Sequence, residues 1–226
     1  MIKMLAAREA MMEARTELIK LYFAHIEGKL EKIRDISKIS EEEALMLCCC
    51  HIEALGARQY REIEYVNLPR KALANYSKSA VFTEILVRYS SYDFWDKIHP
   101  IGLLDFMPKI FNNNYQDYVI ALSEIGYELR EKEFVIDHVK SLFENSVQKE
   151  WFNNHIHKGT IGNIAYSKVR SEIVHNISHQ PITFLAKWQG EDLPDIDFSL
   201  MERCLSNIIE QLKVVSFHTG IFWWEQ

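Results

Sequence analysis

The sequence predicts an all-α fold, and three observations lead there. The chain has 226 residues but only 8 Gly and 5 Pro, whereas a sandwich or barrel of short strands needs turn residues about every 8–12 positions. Apolar residues recur at helical spacing over long stretches. The S-x-x-E form of a helix N-terminus occurs twice, at Ser40–Glu43 and Ser199–Glu202, where a hydroxyl and a carboxylate can each satisfy an exposed backbone N–H. The pattern describes an elaborated bundle of about six or seven helices. No clear linker interrupts it, so the whole of 1–226 reads as a single domain.

From Met4 to about Arg34, the apolar positions Leu5, Met12, Leu18, Ile19, Tyr22, Phe23, Ile26, Leu30 and Ile33 mark a long amphipathic helix. A second helix starts at the Ser40 cap and ends before Asn67-Leu68-Pro69. Lys78 to about Trp95 is a third, with Val81, Phe82, Ile85, Leu86 and Tyr89 as its stripe. His99-Pro100 and Met107-Pro108 bound a short segment. Tyr115 to about Asn153 reads as one long helix or two in series, with a break allowed at Gly126 or at Arg130-Glu131-Lys132. A polar loop at 153–160 precedes a helix from about Asn163 to Ser178, which Pro181 stops. Gln189 to Asp197 is a loop, and the last helix runs from Ser199 to about Phe217.

With 48% hydrophobic and 26% charged residues, the chain can bury a core. The formal net charge is −6, so any nucleic-acid site must be local. Among the four cysteines, Cys48, Cys49 and Cys50 are consecutive and Cys204 is remote. Neighbouring helical side chains diverge by about 100°, so these thiols read as small core residues rather than metal ligands. Reduced thiols fit a cytoplasmic protein. Charges spread through the first residues predict no signal peptide, and no stretch of about 18 uncharged apolar residues predicts a membrane span. The terminal Phe222-Trp223-Trp224 cluster is either a partner surface or packed back on the bundle.

The most informative segment is Tyr166-Ser167-Lys168-Val169-Arg170-Ser171-Glu172-Ile173-Val174-His175-Asn176. Arg and His are the pair that metal-independent RNA cleavage needs. An imidazole near neutral pKa can move the protons of the 2′-hydroxyl and the leaving 5′-oxygen, while a guanidinium holds the phosphate as it gains charge. On an ideal α-helix, residues i and i+5 point about 140° apart. One subunit therefore cannot easily aim both at one atom, whereas two such helices meeting at a twofold axis can share a cleft.

Arg170-x4-His175, late in an all-helical chain, resembles the R-x4-6-H signature of HEPN domains, helical bundles that include RNases of toxin–antitoxin, abortive-infection and CRISPR defence systems. The resemblance covers about 141–217. It implies a homodimer with a composite site needing no cofactor. Arg170 would be the phosphate-binding residue, His175 the catalytic histidine and Ser171 the polar residue after the arginine, where the family more often has Asn, Asp or His. Asn176 and Lys168 would support the pair or contact RNA, and an antitoxin or regulatory protein is an expected partner. With Lys158, Arg170 and Lys168 would form a local basic cleft.

Two other readings come from different classes. The same fold could serve as a non-catalytic dimerisation or partner-binding module, with Arg170 as a surface ion-pair partner and His175 favoured by the helix dipole. Alternatively, His175 and His179 at i, i+4, together with His155-x-His157, could converge on a metal. Glu172-x-x-His175 has the di-iron form, but only once.

Overall fold

The computed structural model describes the backbone of residues 2–67, 78–170 and 185–226, with side chains at all of these except 2–9, 59–67 and 170. Nine α-helices and one two-stranded hairpin occur among the described residues, and the fold is an all-α bundle. Where the sequence reads as one domain, the contacts group into two compact units. One joins Met1–Ser91 to Phe198–Gln226, and the other is Tyr92–Asp197.

In the first unit, α1 (Ile2–Ser37), α2 (Glu41–Asn67), α3 (Lys78–Tyr89) and α9 (Phe198–Thr219) pack as a bundle. Buried Ile19, Phe23, Ile26, Leu30 and Ile33 recur at alternating spacings of four and three along α1, the seam by which long helices lie nearly antiparallel or parallel. Ser40 caps α2 through its hydroxyl, which accepts from the Glu43 N–H at 3.3 Å. Cys48, Cys49 and Cys204 are free and buried, and Cys50 is half-buried. Burial pushes the Cys48 and Cys204 thiols up to about 12, which keeps them protonated and unreactive. The terminal aromatic cluster packs inward: Trp223 and Trp224 are buried, and the Arg58 guanidinium sits 3.8 Å from the Trp224 ring centre. Arg34 ties α1 to α9 by donating from Nε to Glu202 at 2.8 Å.

α3 stops at Tyr89, short of the expected Trp95, because Ser91 takes a left-handed backbone at φ 68°. Ser199 lies inside α9 rather than at its cap.

The second unit carries the short helices. These are α4 (Pro100–Leu104), α5 (Tyr115–Ile125), α6 (Lys132–Val139), α7 (Ser146–His155) and α8 (Ile161–Ile164), the last running on as a π-helical turn over Ala165–Arg170. The stretch 115–153 is therefore three helices, not one or two. Gly126 at φ 75° ends α5, extended Glu131 starts α6, and the Asn145 side chain caps α7. The expected loop at 153–160 is instead the end of α7 and a 3₁₀ turn. Within 189–197, Glu191–Asp192 (β2) pairs with Lys187–Trp188 (β1). The hairpin turns on Gln189 and Gly190, both at positive φ, the twist two-residue hairpins require.

Phe111, Tyr118, Leu122, Val135, Val139, Phe152 and Ile156 form the core of this unit. At its edge lies Gln148, fully buried and polar. Its amide donates to the Ile110 carbonyl at 3.1 Å and to Asn114 Oδ1 at 3.2 Å, and accepts from the Glu144 N–H at 2.9 Å. Asn114 in turn donates to the Leu142 carbonyl. One amide pair thus closes three loop ends. Replacing Gln148 with Ala strips three bonds and orphans buried groups, so Gln148→Ala should lower unfolding stability by about 2–4 kcal/mol. Denaturant titration measures this, and a loss under about 1 kcal/mol would show that the network is dispensable.

Candidate functional site

The candidate site is rooted in the irregular segment 93–99, which bonds to three parts of the second unit. The Trp95 and Lys97 carbonyls accept from the N–H groups of Gly162 and Ile161, at 2.8 and 3.1 Å. Ile98 exchanges backbone bonds with Arg130 at 2.8 and 3.0 Å, and His99 donates its N–H to the Gly159 carbonyl at 2.8 Å. These bonds satisfy the first N–H groups of α8, which a helix cannot satisfy itself. Thr160 completes the cap: its hydroxyl accepts from the Asn163 N–H at 3.2 Å and donates to the His157 carbonyl at 2.8 Å. α8 accordingly begins at Ile161, two residues before the expected Asn163.

His99 secures both sides of this region. It is buried and caps α4, with Nδ1 accepting from the Gly102 N–H at 2.7 Å. That fixes the neutral tautomer with its proton on Nε2, and the ring also bonds the Leu185 backbone. Gly159 and Leu185 stand on either side of the segment bearing the Arg-x4-His motif, and both hydrogen-bond to one histidine. Gly102 is required for this close packing, since a Cβ there would lie 2.8 Å from Ile164 Cδ1 and 3.1 Å from His99 Nδ1.

Arg170 is the last residue of the π-helical turn. π-Turns concentrate at functional sites; the interval from Arg170 to His175, for which α geometry gives the 140° separation, begins where this turn ends and lies outside the described residues. Ser171, His175 and Asn176, together with His179, lie outside the described residues, as does the Arg170 side chain. Lys168 is half-exposed, 3.7 Å from Asp105, a surface pair of small worth.

His155 stacks on Trp151 and bonds its carbonyl through Nδ1 at 3.1 Å, and the His155 and His157 rings stack 6.4 Å apart. Among the described residues no three His, Cys, Asp or Glu side chains converge as metal ligands. Burial first, then the positive neighbours His155, Lys158 and Lys132, hold the His157 ring below its usual pKa.

Sequence reasoning missed His99 and Thr160, although both carried signals: His99 stands before a proline suited to the first helical position, and Thr160 before an apolar run. No family model, curated protein or solved structure matches the chain. Nor is any helix among the described residues long and apolar enough to cross a membrane.

Burial holds His99 below its usual pKa, as it does His51. The unfolded chain takes up a proton near pH 6.5 while folded His99 resists it, so stability is full above that pH and falls as pH drops toward the folded value. His99→Asn keeps a capping oxygen but does not titrate. Between pH 7.5 and 5.5 it should lose stability with a shallower slope than the parent, by at most about 1.4 kcal/mol per pH unit. Equal slopes in urea titrations would remove His99 as a source of acid sensitivity.

Proposed function

We propose that this chain is a metal-independent endoribonuclease of the HEPN type, working as a homodimer in which two copies of the Arg170–His175 segment share one cleft. Its setting in a defence or toxin system, with an antitoxin or regulatory partner, follows from the same resemblance. The observation that carries the reading is the Arg-x4-His motif beginning at the end of a π-turn in a region whose described flanks, Gly159 and Leu185, are both tied to His99. Catalysis by positioned groups requires such rigid support. Lys132 and Lys158, both near enough to act on His157, add positive charge that attracts phosphate.

In the proposed reaction the ribose 2′-oxygen attacks phosphorus and the bond to the 5′-oxygen breaks. One imidazole, His175, takes the 2′-hydroxyl proton, and the partner copy's imidazole protonates the leaving oxygen. Arg170 holds the non-bridging oxygens as charge builds. Ser171 and Asn176 orient the pair, and Lys168 contacts the strand. The products are a 2′,3′-cyclic phosphate and a 5′-hydroxyl.

Purified protein should cut RNA in excess EDTA, and His175→Ala and Arg170→Ala should each reduce the rate by about 10²-fold or more. Equal cleavage by His175→Ala would overturn the reading. An inactive parent that still dimerises would favour the non-catalytic module instead.

A further inference from the structure

A second feature of the same unit lies between α6 and α7 and is lined by none of the motif's residues. An open cavity of about 550 Å³ is lined there by Ile136, Lys140, Phe143, Asn145, Lys149 and Asn153, with Asp137 as its acidic group among the described residues. The spacing of these positions extends the cavity into a groove. Lys132 and Ile136 stand four apart in α6 and Lys149 and Asn153 four apart in α7, so each pair shares one helix face; Lys140 and His157 follow in the 3₁₀ turns at the ends of the two helices. Lys132 and Lys158 act electrostatically on His157, which joins the positive cluster to the end of that row.

Part of the positive charge in and around this cavity is uncompensated. Asp137 is taken by Lys140 at 3.1 Å, while Lys132, Lys149 and Lys158 form no ion pair with a described residue. The chain as a whole carries −6, so lysines without an ionic partner here concentrate a local positive field that attracts anions. The floor is apolar, with half-buried Ile136 and Phe143. Lysines beside an aromatic ring fit a single nucleic-acid strand, whose phosphates meet the ammonium groups and whose bases have exposed faces to stack. Asn145 and Asn153 add amide groups able to bond base edges. Eight residues of α6 span about 12 Å, room for about three or four phosphates at the stacked-strand spacing of about 3.4 Å.

We infer that the α6–α7 groove is a binding track for single-stranded RNA, contacting the backbone outside the cleavage site. The choice of RNA rests on the ribonuclease reading, whereas the groove's affinity for a strand rests on its own residues.

The test is binding of a fluorescent 12-nucleotide oligouridylate to the whole 226-residue chain carrying His175→Ala, over a range of salt. Adding Lys132→Gln and Lys149→Gln should weaken binding at least tenfold and reduce the log–log salt slope by about 0.7 for each lysine lost. Phe143→Leu should weaken binding severalfold without changing that slope. The double change Lys20→Gln on α1 and Lys38→Gln in the turn after it alters the net charge equally and should leave binding unchanged. Unchanged affinity and slope in the Lys132/Lys149 variant would overturn the groove, even if cleavage by otherwise wild-type protein still depends on His175. Groove-dependent binding combined with cleavage indifferent to His175→Ala would uphold the groove and remove the nuclease reading. Equal competition by polyglutamate would also overturn the assignment, because a simple polyanion gains nothing from Phe143.

Discussion

The backbone bonds of segment 93–99 are the constraint on which the second unit depends. A short irregular stretch supplies carbonyls to the start of α8, pairs with Arg130 ahead of α6, and sends the His99 N–H to Gly159. Its side chains extend the same job. Trp188 donates from Nε1 to Asp93 at 3.0 Å, which attaches the hairpin. Burial works against the charge of Lys97, yet its bonds to Asp96 and Glu131 prevail and hold its pKa up. Few of these bonds are regular secondary structure, but each satisfies a group that would be costly to bury alone. Precision in this unit comes from loop backbone locked on loop backbone, with the helices held as spokes.

The long periodic elements were legible because they follow one rule over many turns. The stripe from Ile19 to Ile33 and the Ser40 cap place α1 and α2 close to their observed limits. The shorter elements were not, because single residues decide them. A left-handed Ser91 ends α3, and a side-chain cap from Asn145 separates two helices that share similar composition. The hairpin was missed because each strand is only two residues long, below the length at which alternation carries information. At the candidate site, residue types and their order were readable in Arg170 through Asn176, but the π-turn that precedes them was not. Such turns are rare single-turn features, and the apolar spacing of 165–170 does not announce one.

Charge shows the same division between what is summed and what is placed. The net balance argues against a nucleic-acid partner, and a reading of the whole chain stops there. Position changes the inference: Lys132, Lys149 and Lys158 form no ion pair with a described residue, and Lys132 and Lys158 both act on His157. The Gln148–Asn114 pair contributes by closing the loop ends beside Asn145, which keeps the wall of that groove in place.

The order of the units along the chain also bears on how the molecule is made. The second unit is contiguous, whereas the first closes only when α9, at the far end, returns to α1, α2 and α3. During synthesis the inserted unit can be complete while the apolar seam of α1 still waits for its last partner. The side of the Ile19–Ile33 stripe that α9 covers is then open for as long as more than a hundred residues take to emerge, on the order of ten seconds at ribosomal rates. Nascent chains of this protein are thus candidates for chaperone capture at α1, and a permuted chain joining α9 directly to α1 would shorten that exposure.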